Sequence, residues 1–454
     1  MILRRTLPAL AALALLSACA GTPGASSAPI AGAGQMIRTD GTRWVRADGA
    51  PVVLRGANLG NWLVNEFWMM GQGVGGIDDQ CRLEGLLDRR FGRAERARLM
   101  DLFRDNWMTE ADWDRLAEFG VNLVRLPFLH TVVEDEDHPG RLRPDAWRYL
   151  DQALERARRR GIYVVLDLHG AAGSQGLEHH SGCAGRNLYW STPAYRERTA
   201  WLWREIAARY RDRPEVAGYS LLNEPWGTDP DTMAREIAVL YRAVRAVDPH
   251  HVAILPGHAK NGIDAYGDPR AQGMRNVAFE MHPYPGFFGW GRPGLDVHRG
   301  WLQCTAPDGG TCAWQRKLAA LDTAFFVGEI QPWAGQGLEQ GGQVARASFD
   351  RYAQLGWAAA AWSYKVVTNE GGHGDGTWGM VTNAAGARVP KIDFRSASLA
   401  EIEGFFRGFG SLRYDSHPRL LHWMTSAQAP RPFAPGGDGG PQPTTTNNDK
   451  ETKE

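Results

Sequence analysis

Short apolar runs rich in Val, Ile and Leu alternate along this chain with longer segments of helical period whose polar faces carry Arg and Glu. The runs at 52–58, 121–126, 162–168, 216–222, 252–255, 277–281, 324–327 and 357–362 predict eight strands. Helical spacing is clearest at 144–160, 193–210 and 232–247, and Pro144 and Pro193 stand where a first helical turn tolerates proline. Ahead of the first strand, the stretch 44–49 with its Asp48-Gly49 turn predicts a small hairpin.

Eight strands alternating with helices can form a closed barrel or a doubly wound open sheet. The glycine-rich run at 71–76 lacks the strand–helix frame and the lysine of a phosphate-binding loop, so it reads as a surface loop. The strand ends decide the matter. Almost every apolar run ends in a polar or aromatic residue: Asn58, Arg125, His169, Asn223 with Glu224, His282 with Tyr284, Glu329 and Trp362. In a (β/α)8 barrel (TIM barrel) the C-terminal ends of all strands converge on one mouth, which would place these side chains in one pocket.

Two of them are carboxylates. A buried strand that delivers a Glu at its tip puts an ionisable group at the rim of a core, dry enough for a shifted pKa and still able to reach a substrate. Two such groups are the minimal equipment for cleaving a glycosidic bond. Glu224, held between Asn223 and Pro225, suits a general acid whose pKa burial would raise. Glu329 suits a nucleophile, with Arg125 and Tyr284 as candidate partners for its ionised form, and Gly328 allowing close approach beside it. Asn223 could bind a sugar hydroxyl, His169 and His282 could bind hydroxyls or tune the carboxyls, and Trp362 could floor the subsite where the sugar sits.

Composition adds less. Lys+Arg and Asp+Glu balance at 51 each, which points to neither nucleic acid nor an acidic surface. The 18 Trp are compatible with sugar stacking and with an ordinary large core. Residues 1–18 have a basic start (Arg4, Arg5) and an apolar segment too short to span a bilayer, ending in Leu16-Ser17-Ala18-Cys19. This predicts a lipoprotein signal peptide with Cys19 lipidated, an exported protein facing the periplasm or the surface, and membrane contact only through that anchor. Residues 19–35 read as a flexible tether, 36–426 as the catalytic domain and 427–454 as a disordered tail. In an oxidising compartment, Cys304 and Cys312 flank a short loop and are expected to pair, leaving Cys81 with Cys183. The run Glu178-His179-His180-Ser181-Gly182-Cys183 fits no familiar zinc spacing. No metal or organic cofactor is expected, and a monomer is.

The set Arg125, His169, Asn223-Glu224, His282, Tyr284, Glu329 and Trp362 resembles, in order and context, the active-site residues of glycoside hydrolase family 5. Arg55-Gly56-Ala57-Asn58-Leu59-Gly60-Asn61-Trp62-Leu63, Trp107-Met108-Thr109-Glu110-Ala111-Asp112-Trp113 and the run at 166–175 look like its exo-β-1,3-glucanase branch, and the similarity covers roughly 36–379. The resemblance implies a retaining enzyme on a TIM barrel, with Glu224 as acid/base, Glu329 as nucleophile, Arg125 and Tyr284 supporting it, and Asn223 on the sugar 2-hydroxyl. The loops at 65–67, 71–76 and 176–183 depart from the branch and leave linkage and exo-versus-endo action open. β-1,3-glucan is the favoured substrate. A β-1,4-glucanase, a mannanase, a glycolipid glycosidase, a transglycosylase and an inactive carbohydrate-binding barrel are the alternatives.

Overall fold

A computed structural model describes residues 34–73, 77–260 and 262–433; the expected signal peptide at 1–18, Cys19 and most of the expected tether and tail lie outside them. β1 (Ile37–Asp40) and β2 (Arg43–Arg46) form an antiparallel hairpin. Eight parallel strands then close a barrel: β3 (Arg55–Asn58), β4 (Leu123–Leu129), β5 (Tyr163–Gly170), β6 (Val216–Ser220), β7 (Val252–Pro256), β8 (Val277–Met281), β9 (Ala324–Val327) and β10 (Ala358–Ala361), with β10 pairing back to β3. All eight fall on the predicted apolar runs. β11 (Val381–Asn383) and β12 (Tyr414–Ser416) make a separate antiparallel pair.

Two apolar shells build the molecule. The inner one gathers the N-terminal parts of the strands, including Leu123, Tyr163, Val252, Ala324 and Ala358, together with Ile37 and Trp44 of the hairpin. Trp44 is buried, packs edge-on against Phe326, and donates its indole N–H to the Phe325 carbonyl at 2.9 Å. The hairpin therefore plugs the bottom of the barrel. The outer shell joins the other strand faces to the surrounding helices.

Several boundaries differ from the sequence reading. The hairpin turn lies between β1 and β2, and the Asp48-Gly49 turn brings the following chain back so that Val45 bridges Pro51. Pro193 opens its helix (Pro193–Tyr210), but the helix expected from Pro144 begins at Arg148. β4 continues past Pro127 to Leu129: pairing to β3 stops at Arg125 while pairing to β5 runs on. Arg125 is consequently inside the barrel, below the mouth, and not at a strand tip. Residues 427–433, assigned to the tail on composition, are still attached: the Arg431 amide donates to Gln343, and Phe433 lies 5.6 Å below the Arg299 guanidinium.

The segment after β10 is anchored from a distance. Lys365 is buried and sits 2.6 Å from the Asp112 carboxylate, while Tyr364 donates its hydroxyl to the same residue at 3.0 Å. Asp112 also caps its own helix (Glu110–Glu118) by accepting from Thr109. The 107–113 motif thus holds the chain that follows Trp362.

Candidate active site

The C-terminal mouth of the barrel opens into a cleft of about 1100 Å³ whose lining includes His169, Asn223, Glu224, His282, Tyr284, Glu329 and Trp362. Seven of the nine residues singled out from strand ends therefore share one surface. The other two, Asn58 and Arg125, are fully buried beneath it.

Arg125 is the hub of that floor. Its guanidinium reaches Glu329 at 2.8 Å, Glu280 at 2.9 Å and Asp167 at 3.0 Å, and donates to Asn58 at 3.0 Å and to Asn223 at 2.7 Å. Asn58 passes its amide to the Gly328 carbonyl at 2.9 Å, so strand β3 steadies the residue before Glu329. A Cβ at Gly328 would stand 1.9 Å from Glu280, so only glycine fits there. Sequence reasoning missed Asp167 and Glu280. Each is an ionisable residue inside an apolar run, a signal that could have found them.

Glu329 follows β9 by two residues and accepts from Tyr284 at 2.6 Å as well as from Arg125. Glu224 has φ +39°, a left-handed conformation that is uncommon for a residue with a side chain and that costs on the order of 1–3 kcal/mol. It accepts from His282 at 2.7 Å, and His180 lies 3.3 Å from its other oxygen. One oxygen of Glu224, one of Glu329 and a ring nitrogen of His282 all lie within 4.8 Å of one another. This is the one grouping of metal-ligating side chains found among the described residues, and its atoms already face one another and the Arg125 and Tyr284 donors. The zinc spacing that 178–183 failed to match is replaced by other contacts: Cys183 is bonded to Cys81, and His179 pairs with Glu66 at 3.1 Å. The second disulfide joins Cys304 and Cys312.

Charge balance explains the ionisation. Asp167, Glu224, Glu280 and Glu329 face two cations, Arg125 and His282, and a buried site resists an excess of negative charge. Burial opposes charge on His282, but Glu329, Glu224 and Glu280 around it prevail and lift it to about 10. Burial likewise pushes Glu224 up, yet the His282 hydrogen bond and the neighbouring imidazoles hold it down to about 2. The rise expected for Glu224 is thus reversed. Burial raises Glu329 despite His282 and Arg125, and the nearby Glu224 charge adds to the rise. Burial takes Asp167 up to about 7 against the pull of Arg125. His169 is kept neutral by burial and by Arg125; its Nδ1 faces Asp167 at 2.7 Å and its ring stacks on Trp362.

Loops complete the cleft with residues that carried no strand-end signal. Glu66 and Trp68 come from the segment after β3, Trp226 follows Glu224, and Phe288, Trp290 and Trp378 form a wall beside Tyr284. Gln175 locks two of these loops by donating to the His169 carbonyl at 2.7 Å and to the Asn223 carbonyl at 2.9 Å.

The profile of the family described as Cellulase (glycosyl hydrolase family 5) matches residues 95–366. The chain belongs to glycosyl hydrolase family 5. The family 5 match contains every member of the buried charge cluster and leaves Asn58, Glu66 and Trp378 outside it. A β-xylosidase of Phanerodontia chrysosporium is 36% identical over 257 residues, which is 55% of this chain and 52% of that protein. A glucan 1,3-β-glucosidase of Blumeria graminis is 30% identical over 256 residues, 52% of this chain and 56% of that one. The chain spans about half the length of these curated relatives. Among solved structures, AoRut superposes with a TM-score of 0.57 at 20% identity, covering 72% of this chain and 93% of that one. A rutinosidase from Aspergillus niger gives 0.55 at 17%, covering 72% and 94%. At such identities these two speak for the barrel alone.

Proposed function

We propose that this family 5 protein is a retaining β-glycoside hydrolase acting on β-glucan, β-1,3-linked in preference, with Glu224 as acid/base and Glu329 as nucleophile. The observation that carries the reading is the pair of carboxyls facing each other across the mouth, with oxygens within 4.8 Å. Retaining pairs stand about 5–5.5 Å apart and inverting pairs roughly 6.5–9.5 Å, which leaves room for a water. The two environments divide the roles. Arg125 and Tyr284 both donate to Glu329, which suits an anion that must attack.

Glu224 needs a proton before it can act as an acid. Carboxyls this close titrate as a pair, and a sugar filling the cleft strips water from Glu224 and favours its neutral form. A Glu329 oxygen then bonds to the anomeric carbon as the bond to the leaving oxygen breaks, and that oxygen takes the Glu224 proton. Water next attacks the same carbon, Glu224 takes its proton, and the Glu329 carboxylate departs. Asn223, fixed by Arg125, meets the 2-hydroxyl in this reading, and Trp362, which lines the cleft, stacks on the sugar ring. The leader at 1–18 and the two disulfides support an exported protein, lipidated at Cys19.

The 36% relative supports a second reading, release of single xylosyl units by the same two carboxyls. Product analysis on β-1,3-glucan, β-1,4-glucan and an aryl β-xyloside separates them, with Glu329→Gln as the blank. Glucose or gluco-oligosaccharides from the β-1,3 polymer support the first reading, and product from the xyloside alone supports the second. No product from any of the three overturns both.

A further inference from the structure

Glu224 is approached from two sides of different character. Its Oε1 meets His282, whose Nε2 lies 3.2 Å from Glu280, so this partner belongs to the rigid buried cluster. Its Oε2 faces the His180 Nε2 at 3.3 Å, and among the described residues no other side chain hydrogen-bonds that oxygen. His180 lines the cleft, and its other ring nitrogen is 3.5 Å from Asn223. Since Oε1 points into the cluster, Oε2 is the oxygen on the cleft side, where a leaving group must receive its proton.

His180 is carried by a loop, and the loop is clamped. Three residues on, Cys183 is bonded to Cys81 at the start of the helix Gln80–Phe91. The Cys81 amide donates to the Gly182 carbonyl at 3.0 Å, and the Ala184 amide to Asp79 at 3.2 Å. Ser181 turns its hydroxyl onto the Glu178 carbonyl at 2.8 Å, and His179 is paired to Glu66. A loop so fastened at both shoulders of His180, with the ring edge-on to His169 of β5, holds that ring against Glu224.

We propose that His180 is the positioning residue of the acid: it orients the Glu224 Oε2–H bond toward the leaving oxygen, and the Cys81–Cys183 bridge holds it there. The inference rests on the reading of Glu224 as acid. It makes a leaving-group-dependent demand, because a departing oxygen that is already a stable anion needs no proton, whereas a sugar alkoxide does.

The test measures kcat/KM for wild type, His180→Ala and His180→Gln on aryl β-glycosides of graded phenol acidity and on an unactivated disaccharide. His180→Ala is expected to lose on the order of tenfold to a hundredfold on the disaccharide and poorest phenols, and to stay within about twofold on dinitrophenyl glycosides. His180→Gln, whose amide N–H can reach the same oxygen, should recover part of the loss. Cys81→Ser/Cys183→Ser should reproduce the His180→Ala pattern, and Cys304→Ser/Cys312→Ser should not. Equal losses on every leaving group, or none on any, would make His180 only a wall of the cleft and overturn the proposal. A Cys81→Ser/Cys183→Ser variant that matches wild type would remove the bridge from it. Glu224→Gln run alongside separates the two readings: without leaving-group dependence in that variant, the acid assignment fails and takes the inference with it.

Discussion

The two ends of the barrel are made from the same eight strands and have opposite contents. At the N-terminal end the side chains are Leu, Val, Ala, Tyr and Phe, closed by Ile37 and Trp44 of the hairpin. At the C-terminal end Arg125, Asp167, Glu280 and Glu329 crowd into an equally buried space. The first end gains stability from every contact. At the second, Glu224 sits in a left-handed conformation and two carboxyls are pushed up in pKa. One end is built for cohesion and the other for reactivity, and the strands between them insulate the two.

The sharpest way to break this contrast is to exchange the consequences. Glu329→Gln, at the reactive end, is expected to lower kcat by about 10⁴-fold or more while leaving the melting temperature at or above wild type, since one of four crowded carboxyls is neutralised. Trp44→Ala, at the cohesive end, is expected to cost about 3–5 kcal/mol of stability with kcat close to unchanged at a temperature where the variant is folded. Kinetics and chemical denaturation on the two variants check the crossing. An unfolded Glu329→Gln or a catalytically dead, folded Trp44→Ala would mean that the ends are not insulated.

A second, smaller effect probes the reactive end alone. The pKa of His282 is raised from 6.5 to about 10, so its favourable contribution is full below pH 6.5 and is lost as pH climbs through 10. The stability gap between wild type and His282→Gln should therefore narrow steadily across that window, as read by denaturation at several pH values. A gap independent of pH would show that the imidazole is uncharged. The smallest effect belongs to Cys304→Ser/Cys312→Ser, which opens a short loop that borders Phe288 and Trp290 and carries none of the charged groups of the site; a loss of roughly 1–3 kcal/mol with kinetics close to unchanged is expected, measured by thermal melting and steady-state assay.

The strands were legible because each is an apolar run bounded by polar chain, and the site was legible because function requires polar groups where such runs end. Arg125 marks the limit. Pro127 reads as the end of a strand, yet β4 pairs through it to β5, which moves the arginine from the rim into the interior. Asp167 and Glu280 each stand two residues before a histidine that was singled out, His169 and His282, and were hidden inside their own strands. The C-terminal helices Leu399–Ser411 and Pro418–Thr425 were not singled out either; they pack on the helices Arg93–Trp107 and Leu338–Leu355, contacts that no local period announces. Trp68, Trp226 and Phe288 come from loops, where no periodicity exists to point at a cleft.

Gly328 has a consequence for how variants of this protein would be read. It carries no reactive group, yet any side chain there would collide with Glu280 and, through it, disturb Arg125. In a random library screened for turnover, position 328 would return glycine as faithfully as 329 returns glutamate. Survival frequencies alone would therefore give the two neighbours the same rank. Only a census of the dead clones, sorted into folded and misassembled, would tell the residue that reacts from the residue that makes room.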